Sequence, residues 1–254
     1  MKDILISRDR GVLTISFNRI EKKNALTDGM YRDLASALTG AASDAEVRVC
    51  VICGTEQVFS AGNDLDEFAS VAPEQAAVPA LDFLNALNVF PKPVLAGVCG
   101  SAIGIGATML LHCDLVFAGG NARFSMPFVN LGLCPEAASS MLLPKLAGYQ
   151  RAAEILLTGA AFDAEKALAI GLVNKVLQAS LVLQHVQSLA RELAEKPASA
   201  LAETKRLMKM TDPTEVASRM SDEFAVFRRM LTEGAAKEAL AAFREKRPAD
   251  FRGF

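Results

Sequence analysis

The stretch "PKPVLAGVCGSAIGIGATMLLHCDLVFAG", residues 91–119, decides how this chain folds. It opens with prolines and small apolar residues that predict a buried strand, and it closes on a second apolar run, "CDLVFAGG", of the same kind. Glycines between these runs favour a turn, followed by a helix at about 105–113. The stretch therefore predicts a strand–helix–strand unit whose strands are parallel.

The same stretch contains 18 uncharged residues from Val94 to Leu111. That length meets the lower limit of a membrane-spanning helix, ~17–25 residues. Four glycines lie within it, and each weakens a helix by ~1 kcal/mol relative to alanine. We therefore expect buried strand, turn and helix, and no membrane span.

Strand and helix patterns alternate on both sides of this stretch. Residues 3–18 predict two strands joined at Arg10-Gly11, and Thr27 is a plausible N-cap for the helix that follows. The further candidates are strands at 47–53 and 121–127 and helices at about 65–90 and 136–147. Such alternation over the first 180 residues indicates parallel βαβ units with right-handed crossovers.

Four helical stretches without a strand pattern follow Val176. In the third, apolar residues repeat at three and four positions: Val216, Met220, Phe224, Phe227 and Leu231. Such a stripe is more typical of a core or a subunit interface than of a ligand site. The part of the chain after Val176 is thus expected to be helical.

Composition narrows the class of protein. Charged residues make up 22% and hydrophobic residues 51%, which indicates a globular chain, and the net charge of −2 favours neither nucleic acid nor an anionic membrane as partner. The five cysteines, with charges throughout "MKDILISRDRG", fit reduced thiols in the cytoplasm. Cys50 and Cys53 have C-x-x-C spacing but lie in an apolar strand pattern, so we expect buried thiols and no metal site.

Two loops of small residues, "FSAGNDLDEF" (59–68) and "GSAIGIGAT" (100–108), each follow a predicted strand and precede a helix. The second departs from the G-x-G-x-x-G nucleotide motif, and no lysine follows it as in a P-loop. Such loops offer main-chain N–H groups that no Cβ shields, beside the positive end of a helix dipole. Together they indicate a site for a developing oxyanion, with close packing alone as the alternative.

Several segments carry a family resemblance: "NALT" (24–27), "FSAGNDL" (59–65), residues 91–119, "FSMPFVNLGLCPEAASSMLLPKLAG" (124–148), "LTGAAFDAEKALAIGLVNKV" (157–176) and "FREKRPADF" (243–251). They resemble the enoyl-CoA hydratase/isomerase, or crotonase, family nearly from end to end. The resemblance implies an α/β fold, with a ββα spiral core at 1–195 and a helical trimerisation region at 196–254. It also implies an acyl-CoA substrate, no separate cofactor, and a homotrimer or dimer of trimers.

By motif position, the resemblance assigns two main-chain N–H groups, those of Ala61 and Ile105, to the thioester oxygen. Family hydratases also carry two glutamates, and this chain has Thr108 and Phe128 at those positions. Neither side chain exchanges protons at neutral pH, whereas adding water to a double bond needs a base and an acid. An efficient hydratase is therefore not expected.

Glu136 is the only charged residue between Met126 and Leu143. By itself, such a glutamate is either a helix N-terminal residue favoured by the dipole or a base in an apolar pocket. The resemblance favours the base, because the sequence around Glu136 is similar to that around the catalytic glutamate of peroxisomal-type Δ3,Δ2-enoyl-CoA isomerases. That reaction needs one base, which moves a proton from C2 to C4 of a 3-enoyl thioester.

The remaining candidate residues surround these groups. We expect Thr108 to face the acyl pocket, and Lys246 with Phe243 either to reach towards coenzyme A or to form a solvated helix end. Lys22 and Lys23 are candidates for its phosphates. The predicted catalytic groups are Glu136, Ala61 and Ile105, and the predicted substrate-binding residues are Ala61, Gly62, Asn63, Asp64, Leu65, Gly104, Ile105, Thr108, Phe128 and Lys246.

Other functions stay open from sequence alone. The prediction is a cytoplasmic 3-enoyl-CoA isomerase of fatty acid metabolism, with a hydratase or another crotonase-type acyl-CoA enzyme as the first alternative. A catalytically idle acyl-CoA-binding protein is the second. The acidic residues Asp64, Asp66 and Glu67 fit a solvated first helical turn better than a metal or acid cluster.

Overall fold

A computed structural model describes residues 2–68, 77–209 and 213–254 of the chain. Its larger sheet has six strands in the order β1-β2-β3-β5-β7-β10. Only β1 and β2 are antiparallel, and every other neighbouring pair is parallel. These strands are β1 (Ile4–Asp9), β2 (Val12–Phe17), β3 (Val49–Cys53), β5 (Val94–Val98), β7 (Leu115–Gly119) and β10 (Lys175–Leu177).

A smaller sheet, ordered β4-β6-β8-β9, lies beside the first. Its strands are β4 (Val58–Ser60), β6 (Ser101–Ile103), β8 (Arg123–Ser125) and β9 (Phe162–Asp163), and the first three are parallel. Each of β3, β5 and β7 is followed within a few residues by a strand of this smaller sheet. The chain thus winds as repeated ββα turns, which confirms the predicted fold class.

Eleven α-helices connect or cover the sheets within the described residues. Thr27 caps the first, α1, by accepting a hydrogen bond from the Met30 N–H, as predicted. The helices are α1 (Asp28–Ser43), α2 (Leu65–Phe68), α3 (Val78–Asn88), α4 (Ile105–Thr108), α5 (Ser139–Ala147), α6 (Tyr149–Thr158), α7 (Ala164–Ala169), α8 (Ala179–Ala194), α9 (Ala198–Met208), α10 (Pro213–Leu231) and α11 (Gly234–Glu245).

The apolar stretch at residues 91–119 forms β5, β6 and α4 in succession, followed by a 3-10 helix at Met109–His112 and then β7. None of the described helices combines the length and the apolarity needed to cross a bilayer. Cys50 and Cys53 are buried free thiols in β3, as expected. The helix predicted over 65–90 is two helices, α2 and α3, and residues 69–76 between them lie outside the described part of the chain.

Helices α8 and α10 pack on different parts of the fold. Val182 and Val186 of α8 are buried against the larger sheet, whereas α10 packs on α3. Met220 and Phe227, two residues of the predicted apolar stripe, are buried at 1% and 4% exposure. Within the region predicted as 196–254, helix α10 therefore covers α3, next to the candidate site.

Candidate active site

The two loops of small residues meet because they follow neighbouring parallel strands. One loop leaves β4 at Ser60 and the other leaves β6 at Ile103. Gly62 has φ +87°, and a Cβ added there would lie 2.7 Å from the Ile103 carbonyl oxygen. The loops are thus in direct main-chain contact, and they form part of the wall of a cavity of about 580 Å³. We call this the main cavity.

Substituting alanine for Gly62 tests this contact. We expect Gly62→Ala to destabilise the fold by about 1–3 kcal/mol, because alanine at positive φ is strained and its Cβ meets Ile103. Activity should fall as the loops separate. Gly40→Ala is the matched control, since Gly40 is helical with nothing within 4 Å of an added Cβ. Thermal unfolding of both variants measures the difference, and equal stability would contradict the contact.

Main-chain hydrogen bonds decide which N–H groups in these loops can bind a ligand. The Ala61 N–H donates to the Lys23 carbonyl oxygen at 2.9 Å, and the Gly62 N–H donates to Ser60 Oγ at 3.1 Å. Within the described part of the chain, the N–H groups of Asn63 and Ile105 donate to no protein acceptor. The prediction that the Ala61 N–H donates to the thioester oxygen is therefore wrong, because that N–H already donates to Lys23. Asn63, two residues later, supplies the unused N–H.

Most of the predicted binding residues do line the main cavity. Phe128 forms part of its wall, and Lys22 and Lys23 line it together with Glu21 and Asp66. Lys246 is not among the lining residues of the described chain; it ends α11, and Phe243 of that helix lines the cavity instead. The predicted residues that line it are Ala61, Gly62, Asn63, Asp64, Leu65, Gly104, Ile105 and Phe128.

Asp64 has a structural partner rather than a solvated position. Its carboxylate is 8% exposed and forms an ion pair with Arg19 at 2.7 Å. The same carboxylate accepts from the N–H groups of Asp66 and Glu67 at the start of α2. Burial acts to raise the pKa of Asp64, but the Arg19 and main-chain hydrogen bonds lower it overall. Asp64 is thus held ionised and anchors the loop that carries Asn63.

Glu136 lines a second, smaller cavity of about 30 Å³, which we call the inner cavity. Asn63 and Phe227 line both cavities, so the loop with the unused N–H is shared between the main cavity and the cavity of Glu136. Thr108, the last residue of α4, donates its hydroxyl to Glu136 Oε1. The Thr108 side chain is fully buried, and its hydroxyl binds Glu136. This position differs from the prediction that Thr108 faces the acyl pocket.

Burial raises the pKa of Glu136 from 4.5 to about 8. The hydrogen bond from Thr108 opposes this shift, and the negative charge of Glu223 adds to it. A carboxylate with a pKa near neutrality binds and releases a proton readily at physiological pH, which is the property of a general base or proton shuttle. The electrostatics of this residue therefore fit acid–base chemistry.

The backbone that follows Glu136 is strained. Ala137 and Ala138 have φ of +62° and +54°, so the helix predicted from 136 begins only at Ser139. Ser139 donates its N–H and hydroxyl to the Glu136 carbonyl oxygen, at 3.1 and 2.5 Å. Left-handed alanines cost free energy and persist where surrounding contacts hold them. This turn directs the Glu136 side chain inwards instead of along a helix.

His112 supplies one of the contacts that hold this turn. Its Nε2 lies 2.8 Å from the Ala137 carbonyl oxygen, which can only accept a hydrogen bond. Burial lowers the pKa of His112 to about 4, so the ring is neutral at pH 7 and its Nε2 carries the proton. His112 is thus a structural residue that positions the turn next to the carboxylate.

Two site residues were not predicted from the sequence. Tyr31 of α1 donates its hydroxyl to Asn63 Oδ1, and burial raises its pKa, so the phenol stays neutral. Glu223 of α10 is 6% exposed and accepts from the Ser140 N–H at 3.0 Å. Its Oε2 is buried and has no hydrogen-bond partner among the described residues. Neither lies in a recognisable motif. For Glu223, the available signal was a charged residue placed four residues before Phe227 of the apolar stripe of α10.

Comparison with known proteins agrees with this architecture. The chain is 33% identical over 256 residues to 2,3-dehydroadipyl-CoA hydratase of Escherichia coli, covering 100% of both proteins. It is 34% identical to enoyl-CoA delta isomerase 2 of Rattus norvegicus over 97% of its own length, and it spans 64% of that relative. The structure of Pseudomonas aeruginosa OdaA is 45% identical with a TM-score of 0.92, over 96% of this chain and 99% of that one.

A crystal structure of an enoyl-CoA hydratase/isomerase from Pseudoalteromonas atlantica is 37% identical with a TM-score of 0.93, over 98% of this chain and 100% of that one. The family described as enoyl-CoA hydratase/isomerase matches residues 7–253. These matches confirm the resemblance inferred from the motifs, and they include both hydratases and isomerases. The chain belongs to the enoyl-CoA hydratase/isomerase family.

Proposed function

We propose that this enzyme shifts the double bond of a 3-enoyl-CoA thioester to the 2 position, with Glu136 as the proton shuttle. The observation that carries the proposal is the place of Asn63, which lines both the main cavity and the inner cavity of Glu136. A thioester oxygen bound to the Asn63 N–H would have its C2 carbon next to the carboxylate. Glu136 takes a proton from C2 and returns it at C4, so no water enters the reaction.

Removal of the C2 proton places negative charge on the thioester oxygen of a dienolate. The N–H groups of Asn63 and Ile105, both without a protein acceptor in the described chain, are the donors that we assign to that oxygen. The Ile105 N–H is the first of helix α4, so the helix dipole adds to the stabilisation. Donors fixed in advance stabilise the transition state without reorganising.

The surroundings of Glu136 support isomerisation over hydration. Thr108 donates its hydroxyl to Glu136, and Phe128 is a buried part of the cavity wall. Neither supplies a second proton-transferring group, whereas hydration needs one group to activate water and another to protonate C2. A single carboxylate is sufficient for a 1,3-proton shift.

The test compares two reactions of the purified protein by absorbance. Isomerising a 3-enoyl-CoA forms a conjugated thioester and increases the absorbance, and hydrating a 2-enoyl-CoA removes the conjugation and decreases it. We expect kcat/KM for isomerisation to exceed that for hydration. Faster hydration would favour the hydratase alternative, and no turnover of either substrate would favour an acyl-CoA-binding protein.

The pH dependence follows from the raised pKa of Glu136. The base must be ionised to accept the C2 proton, so kcat/KM should rise with pH and level off above about 8. Glu223→Gln should move this limb to lower pH, since it removes a nearby negative charge while an amide oxygen can still accept from Ser140. Glu215→Gln, an exposed change on the same helix, should leave it in place. If kcat/KM instead levels off already near pH 5, Glu136 with its raised pKa is not the base.

We extend the proposal to the rest of the substrate and to the assembly. Lys22 and Lys23 line the main cavity, and their ammonium groups are suited to the phosphates of coenzyme A. Large apolar side chains exposed on the monomer, such as Leu207 and Met208 at 57% and 71%, are consistent with a trimer or dimer of trimers. A role in fatty acid metabolism would follow from the reaction.

A further inference from the structure

The inner cavity lined by Glu136 is small. If Glu136 reaches both C2 and C4, the carbons beyond C4 lie beside Glu136, and the inner cavity is the space next to them. That space is about 30 Å³. A cavity needs roughly 10–15 Å³ to hold one water-sized group, so there is room for about two such groups.

The wall of this cavity is made of closely packed helices. Apart from Asn63 and Glu136, its described lining residues are apolar and come from α3, α10 and the residues adjoining α3 and Glu136. Leu84 of α3 is 3% exposed, and Met220 and Phe227 of α10 are 1% and 4% exposed. Side chains packed this tightly yield space only by leaving their rotamers and shifting the backbone.

We propose that the enzyme acts on short-chain 3-enoyl-CoA thioesters, and that Leu84 and Met220 set the upper limit on chain length. The inference rests on the proposed function, because it assumes that the acyl chain passes Glu136. Leu84 and Met220 line the cavity from two different helices, α3 and α10, which pack on each other. Shortening either side chain therefore enlarges the same space.

The first measurement is kcat/KM of the wild-type enzyme for 3-enoyl-CoA thioesters of four, six, eight and ten carbons. We expect the ten-carbon substrate to be at least about tenfold poorer than the six-carbon one, since a single surplus methylene in a filled pocket already costs about tenfold or more. A flat series would overturn the proposal. No isomerisation at any length would instead contradict the proposed function.

A binding series separates these two failures. Saturated acyl-CoA thioesters of the same lengths should bind in the same order of preference, measured by calorimetry without any catalytic step. If isomerisation is absent but binding still weakens beyond six carbons, the chain-length limit stands and the reaction is a different one. If binding strengthens steadily with length, the limit is wrong.

Variants assign the limit to particular residues. Met220→Ala and Leu84→Ala should each raise kcat/KM for the ten-carbon substrate relative to the six-carbon substrate by about tenfold. Leu157→Ala is the matched control, because Leu157 is 71% exposed on α6. Folded variants with an unchanged preference would overturn the roles of these two side chains. If either variant fails to fold, the wild-type series still decides the chain-length limit.

Discussion

Replacing Glu136 with glutamine is expected to lower kcat for 3-enoyl-CoA isomerisation by about 10²–10⁴-fold, the usual contribution of general acid–base catalysis. Glutamine has nearly the same shape and can still accept the Thr108 hydroxyl hydrogen bond. It cannot take a proton from C2. The measurement is the increase in absorbance as the conjugated product forms, at a pH above 8 where wild-type Glu136 is ionised.

Two controls make the result specific. The affinity for a saturated acyl-CoA should be nearly unchanged, because the assigned oxyanion donors are main-chain groups, and Glu215→Gln on the surface of α10 should keep wild-type activity. Near-full activity of Glu136→Gln would remove Glu136 from the mechanism. The proposal would then need another base, and no other carboxylate lines the inner cavity among the described residues.

The same substitution is expected to stabilise the protein at alkaline pH. Burial raises the pKa of Glu136 to about 8 from an ordinary 4.5, so the folded protein holds a proton that the unfolded chain releases. Stability therefore falls as pH rises between these values, and the loss is complete above about 8. Glutamine does not ionise, so its burial brings no such loss of stability as pH rises. Glu136→Gln should thus have the higher melting temperature at pH 9 and a smaller advantage at pH 5.

Removing one oxyanion donor is expected to have the second large effect. Proline at position 105 deletes the N–H, and the first position of a helix is where proline is tolerated, because that N–H has no intrahelical partner. Gly104, with φ 55° and ψ −124°, lies outside the helical region that a following proline disfavours. We expect Ile105→Pro to lower kcat by about 10²–10³-fold, the cost measured for losing one such donor.

The control for this variant keeps the N–H and changes the side chain. Ile105→Val removes a methylene from a residue that is 1% exposed and should cost little activity. A large loss in Ile105→Pro together with an unchanged melting temperature and near-normal acyl-CoA binding would support the donor role. If Ile105→Pro folds and retains wild-type kcat, the oxyanion is held elsewhere.

The fold and the two loops could be predicted because their signals are local. Apolar runs, glycines and the Thr27 cap act on residues close by in sequence, and the alternation of strands and helices then restricts the topology. The choice of donor could not be predicted in this way. It depends on the Lys23 carbonyl oxygen, 38 residues before Ala61, which accepts the Ala61 N–H.

The turn after Glu136 could not be predicted from the local sequence pattern either. The sequence pattern predicts a helix from 136, but His112 and Ser139 hold two alanines in a left-handed conformation that alanine seldom adopts. Likewise, the apolar stripe of α10 indicated burial without indicating the partner. The structure shows that the partner is α3 and the cavity of Glu136.

Helix α10, near the end of the sequence, contacts the residues that position and enclose Glu136. Glu223 caps the helix that follows Glu136, and Met220 closes the cavity beside it. A version trimmed to residues 1–195 would lose the charge that tunes the base and one side of its enclosure. Recombining the spiral of one relative with the helices of another would therefore alter two properties together: the proton affinity of Glu136 and the size of substrate that the cavity accepts. These two properties should therefore be inherited as a unit.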